Sequence, residues 1–189
     1  MICIIFNRFK NNSNYKPNIF YAGAIKGDNG GPLVKIKKLK KYFPEFIYNF
    51  NIVYLLSNNQ HLNNTSLKIL KKRKIPIILN QNGVFYPSWF KGDWEKENSK
   101  VSKIYHLADY VFWQSNFSKK ASNKYLGKRL GIGEVLYNAV DTEVFSPKGK
   151  YSNDTFTFLI TGNIRKNNNY RIYAVILALK EVIKINKKI

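Results

Sequence analysis

Ile75-Pro76-Ile77-Ile78-Leu79-Asn80 is a nearly unbroken apolar run, preceded by Lys74 and followed by Gln81-Asn82-Gly83. It is too short for a helix and lacks the alternation of a half-exposed strand, so it reads as a strand covered on both faces. Working outward, four similar runs occur at Ile2 to Phe6, Asn51 to Leu56, Tyr110 to Gln114 and Glu134 to Tyr137. Longer segments of helical periodicity separate them. That alternation predicts βαβ units, and hence an α/β chain built on a doubly wound, Rossmann-like parallel sheet.

The first helix is expected to start at Pro32, where a missing N–H costs nothing, and to end at Pro44. Leu33, Ile36, Leu39 and Phe43 fall on one side of it, with Lys35, Lys37, Lys38 and Lys41 mostly on the other. Further helices are expected from Thr65 to Lys74, from Trp94 to Leu107 and from Ser118 to Leu126, the last stopped by Gly127 in the C-cap role.

Beyond the fifth run, Ala139 to Thr155 has linker composition, with Pro147, Gly149 and the polar stretch Lys150 to Asp154. Within it Asp141 is placed to cap a short helical turn, Phe145 to anchor that turn and Pro147 to end it. A new unit then begins: a strand from Phe156 to Thr161 ending at Gly162, and a helix from Tyr170 to Lys188. Its Ile172, Val175, Ile176, Leu179, Val182 and Ile183 are expected to face inward. One strand and one helix cannot bury their own apolar faces. The expected organisation is a first domain at 1–140, a hinge at 141–155, and the first strand and helix of a truncated second domain at 156–189.

Lys and Arg total 32 against 11 acids, a formal charge of +21. Such a charge favours phosphate, nucleic acid or an anionic membrane surface, but Lys, Asn, Ile, Tyr and Phe are all over-used, so a compositional origin stands beside a selected one. The single cysteine, Cys3, allows neither an internal disulfide nor a cysteine metal site and points to a reducing compartment. Met1 to Phe6 is followed by Arg8 and Lys10, the reverse of a signal peptide's charge order. The longest apolar stretch near the end, Tyr173 to Leu179, is far short of a bilayer span. The expected location is cytoplasmic, with any membrane association peripheral. No G-x-G-x-x-G, Walker loop or Cys/His cluster with metal spacing is present.

The segment Tyr137-Asn138-Ala139-Val140-Asp141-Thr142-Glu143-Val144-Phe145-Ser146-Pro147 resembles the Asn-Gly-Val-Asp-x-x-x-Phe-x-Pro signature of family 4 (group 1) glycosyltransferases of GT-B architecture, where the first domain hands over to the second. Ala139 stands where the glycine is usual. Asp28-Asn29-Gly30-Gly31-Pro32 resembles that family's glycine-rich loop after the first strand, and Ile75 to Gly83 its central strand and cleft loop. Tyr110 to Asn116, with Ser115, resembles the strand before the hinge, and Phe158 to Asn163 the opening strand of the nucleotide-binding domain.

The resemblance implies sugar transfer from a nucleotide-diphosphate donor to a hydroxyl of a saccharide or lipid-linked acceptor, in cell-envelope polysaccharide or glycolipid synthesis. It implies no cofactor and no bound metal. Gly30, Gly31, Asn82 and Ser115 would line the acceptor cleft, and Arg165 and Lys166 would meet the donor diphosphate. Asn82 stands where many relatives carry histidine; its amide can hold a hydroxyl but cannot act as a general base, and Asn82-Gly83 also reads as a plain turn. The family's catalytic glutamate pair would lie beyond Ile189, so the chain alone is expected to be inactive. Phe85, Tyr86, Trp89, Phe90 and Trp94 could stack on a sugar, touch a membrane surface, or fold back as a lid on the core. The alternative function is a basic Rossmann-like module binding nucleic acid or an anionic surface without catalysis; it lacks a recognisable nucleic-acid-reading element, so nucleic acid is not the favoured partner.

Overall fold

The computed structural model describes residues 16–22, 31–57, 62–88, 90–147, 149, 157–162 and 169–185. Its elements are β1 (Ile19–Phe20), α1 (Gly31–Tyr42), β2 (Ile52–Leu56), α2 (Asn64–Lys72), β3 (Ile77–Gln81), α3 (Trp94–Leu107), β4 (Tyr110–Trp113), α4 (Asn116–Tyr125), β5 (Gly133–Val135) and α5 (Tyr170–Ile185). The chain divides into two compact units, Met1–Ala139 and Val140–Ile189.

In the first unit all five strands are parallel and ordered β1-β2-β3-β4-β5. The α/β, Rossmann-like parallel sheet read from the sequence is present. Among the described strands, however, the order never reverses, and reversal is what makes a sheet doubly wound. The expected strand at Ile2 to Phe6 lies outside the described residues. The first strand described is instead Ile19–Phe20, whose register pairs Ile19 with Ile52 and Phe20 with Val53.

Successive residues of a strand point to opposite faces, and the two core clusters follow that rule. Val53, Leu55, Ile77, Leu79, Val111 and Trp113 pack with Leu67 and Leu70 of α2, with Val101, Ile104 and Tyr105 of α3, and with Leu126 just after α4. Tyr54 and Leu56 turn the other way, joining Tyr21 and Ile36 of α1, with Ile78, Phe112 and Leu39 packed alongside. Thus α1 covers one face while α2, α3 and α4 cover the other. Because the strands advance in one direction, the β1–α1–β2 crossover has the opposite hand to those that follow, against the strong general preference for a single hand.

The helix ends have local causes. Asn63 caps α2, its Oδ1 accepting from Ser66 N at 2.9 Å, and Asp93 caps α3, accepting from Lys96 N at 2.9 Å. α2 stops two residues before the expected Lys74. Lys74 N donates to Lys71 O and Ile75 N to Leu70 O, both at 3.0 Å, with Lys74 left-handed at φ 54°. This is a Schellman motif closed by lysine instead of glycine. Gly127 takes its expected place after Leu126, the C-cap of α4, at φ 93°.

In the second unit, Asp141 caps its turn as expected, its Oδ1 accepting from Glu143 N at 3.1 Å and Val144 N at 3.3 Å. Phe145, expected as an anchor, is 70% exposed. Of the expected strand at Phe156 to Thr161, residues 157–161 belong to no strand among the described residues, and Phe156 lies outside them. α5 is a helix as expected, but the side chains read as inward are not buried; Val175 and Ile176 are each 40% exposed and Ile183 49%.

Candidate functional site

Three strands end in polar residues at their carboxyl ends, and side-chain amides dominate them. β2 is followed by Ser57, β3 closes on Asn80-Gln81 and runs into Asn82, and β4 is followed by Gln114-Ser115. Asn80 and Gln81 are fully buried; the Asn80 amide is hydrogen-bonded through both its atoms, whereas Gln81 Oε1 is buried with no partner, a cost the fold carries at this edge. Ser57 N donates to Asn80 O and Asn82 N to Ser57 Oγ, both at 3.0 Å. Gln81 Nε2 donates to Gly83 O at 2.6 Å, and Gln114 Nε2 donates to Asn82 O. Asn138 Nδ2 reaches Gln114 Oε1 at 3.5 Å, so the chain leaving β5 is tied to the same edge.

From the other side comes Lys35, one turn into α1. Its Nζ donates to Asn80 Oδ1 at 3.2 Å and to Asn138 Oδ1 at 3.4 Å. Burial lowers its pKa below the ordinary lysine value. The result is a half-buried ammonium held by two neutral amide oxygens, beside the partly exposed amides of Asn82, Gln114 and Asn138, groups that can both donate and accept.

Of the residues singled out in the sequence, Asn82 lies among these amides and Ser115 beside them. Ser115 Oγ accepts from Ser118 N at 3.0 Å as the N-cap of α4, while Ser118 Oγ donates to Gln81 O at 3.2 Å and Asn82 O at 3.5 Å. Gly31 opens α1 with open space where a Cβ would stand, one turn before Lys35. Gly30, Arg165 and Lys166 lie outside the described residues. Lys35, Asn80, Gln114 and Asn138 were not recognised as site residues. The available signal was positional: an amide follows three separate apolar runs, a place where solvent-facing strands have no use for one.

The aromatic loop folds back on the first unit. Phe85 and Tyr86 pack against the core, Phe85 meets Phe90 edge-on at 4.9 Å, and Trp94 stands perpendicular to Tyr125 at 5.8 Å. Phe85 and Tyr86 therefore pack on the core as the lid reading expects; Trp89 lies outside the described residues. Two open depressions lie apart from these amides. One, of about 460 Å³, is lined by Tyr110, Trp113, Lys119 and Arg129 among others; the other, of about 500 Å³, lies between α3 and α4.

Among the described residues no helix is long and apolar enough to cross a membrane, and no group of three or more His, Cys, Asp or Glu could hold a metal ion. Comparison with protein-family models, curated proteins and solved structures finds no match.

Proposed function

We propose that the chain is the acceptor-side part of a GT-B type glycosyltransferase, working on a nucleotide-sugar donor and a saccharide or lipid-linked acceptor in cell-envelope synthesis. The observation that carries this reading is the set Asn82, Gln114 and Asn138, tied together by their amides at the carboxyl edge of a parallel sheet and seated on the buried Ser57 and Asn80, the edge at which open α/β sheets take their ligands. Neutral amides and hydroxyls suit sugar hydroxyls, which offer both donors and acceptors. The hinge signature around Asp141 and the cleft loop Gln81-Asn82-Gly83 support the same assignment by resemblance. Arg165 and Lys166 would contact the donor diphosphate.

The test is saturation-transfer NMR of the chain with a panel of saccharides and nucleotide-sugars. Saturation transfer to a saccharide that is lost in Gln114→Ala and Asn82→Ala is expected. The absence of transfer to every saccharide would sink the proposal.

The second reading, a basic module binding nucleic acid or an anionic surface, is favoured by the net charge of +21. A filter-binding titration separates the two: affinity for nucleic acid falling steeply with salt supports the module.

A further inference from the structure

We propose that Lys35, set between Asn80 and Asn138, is the anion-binding group at this edge of the sheet and receives a phosphoryl group of the ligand. The inference deepens the acceptor-side reading and rests on it for the ligand's identity; the binding geometry stands on the Lys35 contacts alone.

An ammonium carries three N–H donors, and the described contacts use two, to Asn80 Oδ1 at 3.2 Å and Asn138 Oδ1 at 3.4 Å. Both acceptors are neutral, so they orient the charge without cancelling it. Among the described residues no carboxylate pairs with Lys35, whereas Lys40, Lys71 and Lys100 all find one within 4 Å. Burial opposes the charge at this position, and an arriving oxyanion would relieve that opposition. One step along the same cluster, Asn80 Nδ2 donates to Asn82 Oδ1 at 3.5 Å, and Asn82 Nδ2 is buried with no partner. Asn80 thus links the uncancelled ammonium to an amide whose donor is unmet, and a phosphoryl group seated on Lys35 could draw that donor into its own hydrogen bonding. The other lysines of α1, Lys37, Lys38 and Lys41, are exposed, so Lys35 is set apart by its seat and not by the helix's general charge.

The phosphoryl group could belong to a soluble sugar phosphate or to a lipid-linked one, and the experiment carries an arm for each. Inorganic pyrophosphate is titrated calorimetrically into the full chain and into Lys35→Gln, Lys35→Arg and Lys38→Gln, each first shown to melt cooperatively. Lys35→Gln, which retains an amide donor for Asn80, is expected to weaken binding by about tenfold or more, and Lys38→Gln, losing the same formal charge at an exposed position, by about twofold at most. Lys35→Arg should retain part of the affinity, because the charge survives although the fork geometry differs. Equal losses in Lys35→Gln and Lys38→Gln, or no saturable binding by the parent, would overturn the proposal. In the second arm glucose 1-phosphate competes against vesicles containing phosphatidic acid in neutral lipid. Lys35-dependent binding of either supports the proposal and identifies the source; Lys35-independent binding of both overturns it. A chain that binds pyrophosphate through Lys35 yet gives no saccharide contact in the NMR test would retain the anion site and lose the glycosyltransferase reading.

Discussion

Asn98 illustrates how one polar residue secures a loop that has no regular structure. It is 2% exposed on α3, and its amide pairs with the backbone of a single distant residue, Nδ2 donating to Phe85 O at 2.7 Å and Oδ1 accepting from Phe85 N at 2.9 Å. The side chain thus does for Phe85 what a neighbouring strand would do. Asn98→Ala removes both of these hydrogen bonds to the Phe85 backbone at a part-buried site and is expected to cost about 1–3 kcal/mol, taking roughly 0.5–1.5 for each bond lost. Asn98→Asp sets a carboxylate oxygen against Phe85 O and a charge at a buried site, and should cost at least as much as Ala; urea midpoints order the three. Lys35 gives a pH-dependent counterpart. Its folded pKa lies below the unfolded value, so in the window between them the unfolded chain holds more protons and stability rises with pH. Below that window Lys35 is charged in both states, and the full desolvation penalty is present. The stability of the parent relative to Lys35→Gln should therefore shift in the parent's favour as pH climbs through the lysine range. Urea titrations of both proteins at neutral and alkaline pH measure that difference, with the other lysines cancelling.

At the scale of elements, the sequence was legible wherever a local device was written in residue type. α3 runs from Trp94 to Leu107 as read, because Asp93 caps it and its apolar positions recur at helical spacing. Gly127 stops α4 as read. The end of α2 was misplaced because Lys74 fills the left-handed position where glycine would have announced it. β1 was missed because a two-residue strand has no period; only its pairing with β2 defines it. The site's amides were hidden for a related reason: Asn80, Gln114 and Asn138 are separated by 34 and 24 residues in the sequence, and only the sheet register places them on one edge. Two element-scale predictions follow from these particulars. Lys74→Gly should stabilise the chain by about 1 kcal/mol by removing the left-handed penalty. Gly133→Ala should destabilise it by about 1–3 kcal/mol, since the new methyl would meet the carbonyl of Val111 and the ring of Trp113, with atoms of that ring 2.7 and 2.9 Å away. Thermal melts of both variants against the parent give the signs directly.

For the whole molecule, the decisive contrast is where apolar surface is buried and where it is not. The described core draws only on residues from Ile19 to Val135. In the second unit, Leu177 is 59% exposed and Ile185 87%, along with Val175, Ile176, Val182 and Ile183. A helix of this composition left open to water is a surface that seeks cover. The charge of +21 opposes association of like chains at low salt, and that opposition fades as salt screens it. Two consequences can be tested on one pair of proteins, the full chain and residues 1–139. If the first unit holds the cooperative core, the shorter chain should keep its melting transition within a few degrees of the full chain, a shift corresponding to about 1 kcal/mol or less at this size. If α5 is the adhesive element, the full chain should bind a hydrophobic dye and self-associate progressively as salt is raised, while residues 1–139 should do neither. Sedimentation velocity across a salt series reads the second outcome. Loss of cooperative melting in the shorter chain would mean instead that residues 140–189 complete the first unit's core, and the division of the chain at Ala139 would have to be abandoned.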